Sequence, residues 1–460
     1  MPAIKLPLPL RKRIAIIHSQ LLTVDGVSLE AEKWVKIYKG LGHKPYLVAG
    51  KFGSEPKLPY LLIPEMSLEH PTVESIKKMA FEAPLSSEEA DALQGLIHSM
   101  VSKIKPPLVE FIRKNKINLL SIENVLAIPA NIPLGIALSE VIQQLNIPAI
   151  MRHHDFFWER SYYIKYNNIP KVLGKNFPPK LSRIEHVTIS TSAQQDFLRW
   201  TGVDSTVIPN AVDFSFVQKM DEYNSDFRKR FSLKKSDLLF LQPTRIMQRK
   251  RIERSIELIS ELNKKFKKRK AVLLITGPTT PESKDYFEFL VKKARELAVD
   301  VVFASDWVYL FRGEKEGMKV YSISDAYANC DAVCFPSDIE GFGNIVIEAA
   351  AFKKPLFVNN YPVLREFKAR GFEFVEINEK LSREAVDKMY SILSNKRVRA
   401  LVLEKNFRIV QKHYSLDALE SKLEALVEST DAWSLERMVS GAIAFVHNLF
   451  AGFLRIFKRK

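Results

Sequence analysis

Short apolar runs alternate along most of the chain with longer stretches in which apolar residues recur at three- and four-residue spacing. The first run is 13–18, and runs at 46–49, 119–122, 149–151, 187–190 and 206–208 follow it. Runs this short, apolar without alternation, are what a parallel strand buried on both faces requires. Helical spacing between them covers 29–41, 106–116 and 133–145. Residues 210–236 are polar and close this set. A second set begins with runs at 238–241, 271–275, 301–303, 332–335 and 355–358. Strands alternating with helices form βαβ units and hence parallel sheets. The pattern predicts an α/β protein of two doubly wound halves, with a cleft between them near residue 215. Ligands of such sheets bind beyond the carboxyl ends of the strands.

Composition narrows the class. A chain of 460 residues is too long for one ordinary core. With 46% hydrophobic and 27% charged residues, disordered and fibrous classes are excluded. Residues 1–13 lack the apolar core of a signal peptide, and no charge-free apolar run of ~20 residues occurs. Cys330 and Cys334 stand apart from any His or Cys cluster, so they read as small core residues of a protein in a reducing compartment. The net charge of +16 suits an anionic partner: a nucleotide diphosphate, a nucleic acid or an acidic membrane surface. Its densest run, 264–270, fits either a solvated loop or a membrane-surface patch. In the tail, 432–460, Leu435, Met438, Val439, Ala442, Val446, Leu449, Phe450, Phe453 and Ile456 share one helical face, and the tail ends in a basic terminus. That segment fits a helix in a membrane interface or one packed on protein.

The densest chemistry lies at 336–350, where the strand 332–335 runs into a turn with Gly341 and Gly343 and then an alanine-rich helix. Glycines let a backbone approach a ligand closely, and the free N–H groups of the new helix favour an anion. Glu340 and Glu348 place two carboxylates along that edge, able to grip hydroxyls at two ends of a sugar nucleotide. Taken alone, the stretch also fits an ordinary strand–turn–helix with two solvated glutamates. The seven-residue interval between Glu340 and Glu348, with Gly-Phe-Gly after the first, resembles the signature of family 4 retaining glycosyltransferases. The resemblance implies the GT-B fold, two Rossmann-like domains facing a cleft. It implies that Glu348 holds the ribose of a nucleotide-sugar donor. Glu340 would lie beside the donor sugar, with the backbone of Gly341, Phe342, Gly343 and Asn344 on its hydroxyls.

Three further segments resemble the same family. Arg245 and Lys250 match its two cations for the donor diphosphate, a planar fork and a point charge. Arg251 stands where a glycine is usual and Arg249 precedes Lys250, which leaves open which cations act. Residues 207–213 resemble the family's hinge, with Ala211 for the usual glycine and Asn210 near the cleft. His154, followed by Asp155, matches a histidine that reaches the donor sugar; His153 is the alternative. The aromatic residues Phe156, Phe157, Trp158, Tyr162 and Tyr163 could line an acceptor site or pack under a loop. Gly26 stands in for the family's paired glycines after the first strand.

The resemblance implies an acceptor-side domain at 1–214, a nucleotide-sugar domain at 215–413 and a helix at 414–431 crossing back to the first. The expected activity is retaining transfer from a UDP- or GDP-linked hexose to a hydroxyl acceptor. No Asp-x-Asp metal grip occurs in the sequence, so no metal and no cofactor beyond the donor substrate are expected. The basic charge and tail favour a glycan or lipid-linked acceptor and a cytoplasmic protein with peripheral membrane contact. The alternatives are a transferase making a small soluble glycoside of the compatible-solute type, a sugar-nucleotide epimerase on the same fold, and a non-enzymatic basic surface-binding protein.

Overall fold

The structure is a computed structural model that describes residues 11–430. Residues 11–189, 193–208 and 420–430 form one compact unit, and 190–192 with 209–419 form a second. The tail 432–460, read above as an amphipathic helix, lies outside the described residues.

The first unit is built on a seven-stranded sheet. Its strands are β1 (Arg13–Leu21), β2 (Lys44–Phe52), β3 (Tyr60–Leu62), β4 (Leu119–Glu123), β5 (Ala149–His153), β6 (Ile184–Thr188) and β7 (Thr206–Val207), in the order β3-β2-β1-β4-β5-β6-β7. Every neighbouring pair is parallel. The central strands β4 and β5 are buried along their whole length, which is why their runs are mostly apolar, and the polar residues they carry, Ser121, Glu123, Arg152 and His153, are buried with them. The order reverses between β1 and β4, so the carboxyl ends of these two strands form a topological switch point.

The second unit repeats that logic. A six-stranded parallel sheet joins β8 (Leu238–Gln242), β9 (Ala271–Ile275), β10 (Asp300–Phe303), β14 (Ala332–Phe335), β15 (Leu356–Asn359) and β16 (Val375–Ile377) in the order β10-β9-β8-β14-β15-β16. Its switch point lies between β8 and β14. Between β10 and β14 the chain inserts a small sheet of β11 (Val308–Tyr309), β12 (Gly313–Lys315) and β13 (Met318–Ser322), which the apolar pattern does not announce. Both units thus have the doubly wound, Rossmann-like form the pattern predicts.

Two elements differ from their sequence reading. The helix expected from 106 runs from Ser87 to Lys114, straight through Pro106 and Pro107. Its start is fixed by a capping box between Ser86 and Glu89, and Leu93, Ile97, Met100, Ile104, Leu108 and Ile112 bury one continuous stripe. Burial of that stripe outweighs the hydrogen bonds the prolines remove. Strand β6 begins at Ile184, three residues before the run at 187–190, because Glu185 and His186 interrupt its apolar character. Residues 416–430 are helical.

Candidate active site

In the second unit, the loops leaving β8 and β14 meet at the switch point. Gln242, buried at the end of β8, donates to the Thr244 hydroxyl at 3.1 Å and accepts from Ser255 at 2.7 Å, which sets the direction of the loop carrying Arg245 to Lys250. The two loops are then stitched together: the Asp338 N–H donates to the Arg249 carbonyl at 3.0 Å. Lys250 Nζ lies 2.5 Å from Glu340 Oε1, and both side chains are largely shielded from solvent. Burial lowers the Lys250 pKa from its ordinary value; Glu340 opposes the shift, while Arg249 and Arg245 add to it.

The neighbouring cations separate by partner. Arg251 donates through Nε to Asp338 at 2.5 Å, and Arg254 joins the same carboxylate at 3.0 Å. Arg249 reaches Glu340 at 3.2 Å from an exposed position. Arg245 is exposed and makes no hydrogen bond or ion pair among the described residues. Arg251 takes a left-handed backbone, φ 47°, where the family pattern has glycine. It costs roughly 1–2 kcal/mol to place a non-glycine residue there.

Gly343 caps the helix Asn344–Ala351 with φ 95°, and a Cβ at this position would collide with the Tyr361 hydroxyl. Tyr361 is buried and donates to the Phe342 carbonyl at 3.3 Å. The Phe342 ring packs against Phe367 and Tyr414, so this residue offers its surroundings backbone rather than ring. Gly341 is exposed on the turn. Asn344 opens the helix and accepts from Asn210 at 2.9 Å. Glu348, one helical turn further in, accepts from the buried Tyr327 hydroxyl at 2.8 Å. Tyr327 in turn stacks on Phe352 at 4.8 Å.

In the first unit, the carboxyl ends of β4 and β5 gather a buried polar group. Glu123 ends β4 with no exposed side-chain surface and accepts from Arg152 Nε at 2.7 Å. His154 Nε2 lies 3.5 Å from the same carboxylate oxygen. Burial alone would raise the Glu123 carboxyl, but Arg152 and His154 hold it below its ordinary value. His18 bonds through Nδ1 to the Glu123 carbonyl at 2.7 Å, and burial lowers its pKa. Asn124, left-handed at φ 57°, accepts from the backbone of His154 at 2.9 Å and donates to Asp155 at 2.7 Å.

The two candidate histidines go different ways. His153 is buried 3.0 Å from His186 and forms a mutual ring cluster with His186 and Phe197, a core position. His154 stands with the polar group and is partly exposed. Within the aromatic cluster Phe156 stacks on Trp158 at 4.5 Å and Tyr163 meets Phe81 edge-on at 5.0 Å, while Tyr162 is exposed. Gly26 begins the helix Gly26–Gly40, capped by Asp25. A Cβ on Gly26 would meet nothing within 4 Å, so the local fold does not demand glycine there.

Cys330 and Cys334 are free and buried. In the basic run, Lys265 pairs with Asp387 at 2.7 Å and Lys264 with Glu261 at 2.5 Å. Among the described residues, no helix is long and apolar enough to cross a membrane. Sequence reasoning passed over Tyr327, Tyr361, Asp338, Gly277, Glu123, Asn124 and Arg152. Glu123 and Asn124 carried a usable signal, two polar residues at the carboxyl end of an apolar run. Gly277 lies so close to the β8 loop that a Cβ would overlap the Thr244 carbonyl. Such a contact, like those of Tyr327 and Tyr361, exists only after folding.

Comparison with known proteins agrees with this geometry. Residues 224–409 match the family described as Glycosyl transferases group 1. The chain is 30% identical to the mannosylglucosylglycerate synthase of Petrotoga mobilis, covering 89% of this chain and 96% of that protein. It is 29% identical to the synthase of the same name from Thermotoga maritima, covering 89% and 98%. The fold is shared with an Anabaena HepE solved with UDP and glucose, at 13% identity and a TM-score of 0.61, over 91% of this chain and 100% of that one. HepE with bound UDP-glucose matches at a TM-score of 0.61. Of the acceptor classes read from the sequence, the relatives' names fall with the small glycosides rather than with glycans or lipid-linked intermediates. With two doubly wound sheets, the paired glutamates beside a glycine turn and these relatives, the chain belongs to the group 1 glycosyltransferases and is a glycosyltransferase of the GT-B fold.

Proposed function

We propose that this glycosyltransferase moves a hexosyl group, with retention and without a metal ion, from a nucleotide-diphosphate sugar to a hydroxyl of a small anionic glycoside. By the names of its relatives, the group is mannosyl and the acceptor glucosylglycerate. Residues 215–413 carry the donor and 1–214 the acceptor. Glu348, oriented by Tyr327, takes the ribose hydroxyls. Lys250 and Arg245 neutralise the diphosphate, helped by the N–H groups that open the helix Asn344–Ala351. Glu340 and the backbone from Gly341 to Asn344 border the sugar, and His154 meets one of its hydroxyls. The bond from the sugar's anomeric carbon to the phosphate oxygen breaks and its electron pair leaves with the nucleotide diphosphate. The acceptor oxygen bonds the same face, and its proton passes to the departing phosphate. No side chain becomes covalently attached.

The observation that carries this reading is the Lys250–Glu340 contact at the β8/β14 switch point, with Glu348 held eight positions on. The test incubates the purified chain with UDP- and GDP-hexoses and either glucosylglycerate, glycerate or a lipid-linked glycan, with and without EDTA. Transfer to glucosylglycerate with the donor's anomeric configuration, undiminished by EDTA, is the expected outcome. Transfer to the lipid-linked acceptor alone overturns the small-acceptor assignment. Conversion of the donor without any acceptor points to an epimerase, and an inverted product overturns retention.

A further inference from the structure

Glu123 and Arg152 form an ion pair with no exposed side-chain surface, at 2.7 Å. Such a pair is a poor device for stability, because apolar residues of similar size often do as well or better. This one is also incompletely satisfied. Arg152 uses Nε alone; its two terminal nitrogens and Glu123 Oε1 have no hydrogen-bond partner among the described residues. The guanidinium sits over Trp34, its carbon 4.2 Å from the ring centroid, so it cannot swing to a better partner without losing that contact. The single oxygen that Arg152 grips, Glu123 Oε2, is the one facing His154 Nε2 at 3.5 Å.

His154 is constrained from a second side. Asn124 follows Glu123 directly and accepts a left-handed backbone to bring its side chain onto the amides of His154 and Asp155. Backbone strain of that kind persists only where the surroundings impose it. The backbone of His154 is thus pinned by residue 124 and its ring by residue 123, both at the carboxyl end of β4.

We infer that Glu123 and Arg152 are positioning residues for His154. Arg152 fixes the carboxylate. The carboxylate selects the imidazole tautomer with its proton on Nε2, and Nδ1 is left as an acceptor for a sugar hydroxyl. This inference rests on the proposed role of His154 in binding the sugar. The 3.5 Å separation is at the long limit of a hydrogen bond, and the inferred role requires it to shorten when a sugar hydroxyl loads Nδ1.

The test is a double-mutant cycle on transfer: wild type, Glu123→Gln, His154→Ala and the pair together. Glu123→Gln preserves the size of the side chain, but its amide can present an N–H to His154 and so select the wrong tautomer. The expected result is a loss of kcat/KM of at least about tenfold in Glu123→Gln, with the double variant no worse than His154→Ala alone. Losses that multiply overturn the positioning role while leaving His154 in the site. Wild-type turnover by His154→Ala overturns both the role of His154 and this inference. A folding defect in Glu123→Gln does not shield the inference, because nitrogen-15 NMR of the wild-type imidazole reads the tautomer directly. The His154 resonance, assigned by its absence from His154→Ala, should be that of the Nε2–H form, and the Nδ1–H form overturns the inference.

Discussion

At the scale of the residue, the main finding is which cation holds which carboxylate. Three basic side chains stand in a row, Arg249, Lys250 and Arg251, and although Lys250 is the one that matches the family motif, the sequence leaves open which of them act. In the structure Arg251 is committed to Asp338, and Lys250 lies against Glu340. Lys250 thus meets a carboxylate where the proposed function requires a diphosphate. Removing the negative charge of Glu340 should therefore have two opposed effects. Glu340→Gln should bind free nucleoside diphosphate about fivefold to tenfold more tightly, a gain of ~1 kcal/mol, because Lys250 loses its competitor. It should at the same time lose transfer almost completely, because the carboxylate that the proposed function sets beside the sugar is gone. Calorimetric titration of the diphosphate and a transfer assay on one preparation check both, and weaker diphosphate binding by the variant would contradict the arrangement. Lys250→Ala should lose transfer and diphosphate affinity together, with its melting temperature little changed.

At the scale of the element, the helix Asn344–Ala351 depends on how it starts. Its cap is Gly343 at φ 95°, where a Cβ would meet the Tyr361 hydroxyl and the Phe335 ring. Gly343→Ala forces a Cβ into that contact and a left-handed backbone onto an alanine. A destabilisation of roughly 2–4 kcal/mol follows. Adding Tyr361→Phe removes the colliding oxygen but not the backbone strain, so urea unfolding should show recovery of part of the loss and not all of it. Full recovery would mean the backbone term is absent. Elements were legible in the sequence wherever one period ran uninterrupted, as in β8, β9 and β14. They were obscured where polar or imino residues broke the period but not the packing, as at Glu185 and His186 in β6 and Pro106 in the long helix. In both places long-range burial decided against the local signal.

At the scale of the whole molecule, stability in acid is set partly by imidazoles that the fold keeps neutral. Burial lowers His186 from 6.5 to about 4, and His153, beside it, is also lowered well below its usual value by burial and by His186. The unfolded chain therefore takes up protons near pH 6.5 that the folded one refuses until about pH 4. Stability is unaffected above pH 6.5 and falls as the pH drops through that window. For His186 alone the loss is about 3 kcal/mol. Urea unfolding from pH 7.5 to pH 4 should show a shallower decline in His186→Phe than in wild type, and parallel declines would exclude the imidazole as the cause. In the densest basic run, 264–270, Lys264, Lys265 and Lys270 are each paired with a carboxylate, of Glu261, Asp387 and Asp300. By itself, the sequence determined the two doubly wound halves, the glycine turn between Glu340 and Glu348 and the Arg245–Lys250 segment, because periodicity, turn chemistry and motif spacing are local properties of the chain. Only the tertiary structure decided that His153 is core while His154 joins Glu123, that Lys250 and not Arg251 faces Glu340, and that Tyr327 holds Glu348 while Tyr361 holds the turn. Those choices depend on which strands become neighbours, β4 beside β5 and β8 beside β14, and adjacency between residues some ninety positions apart is settled by packing.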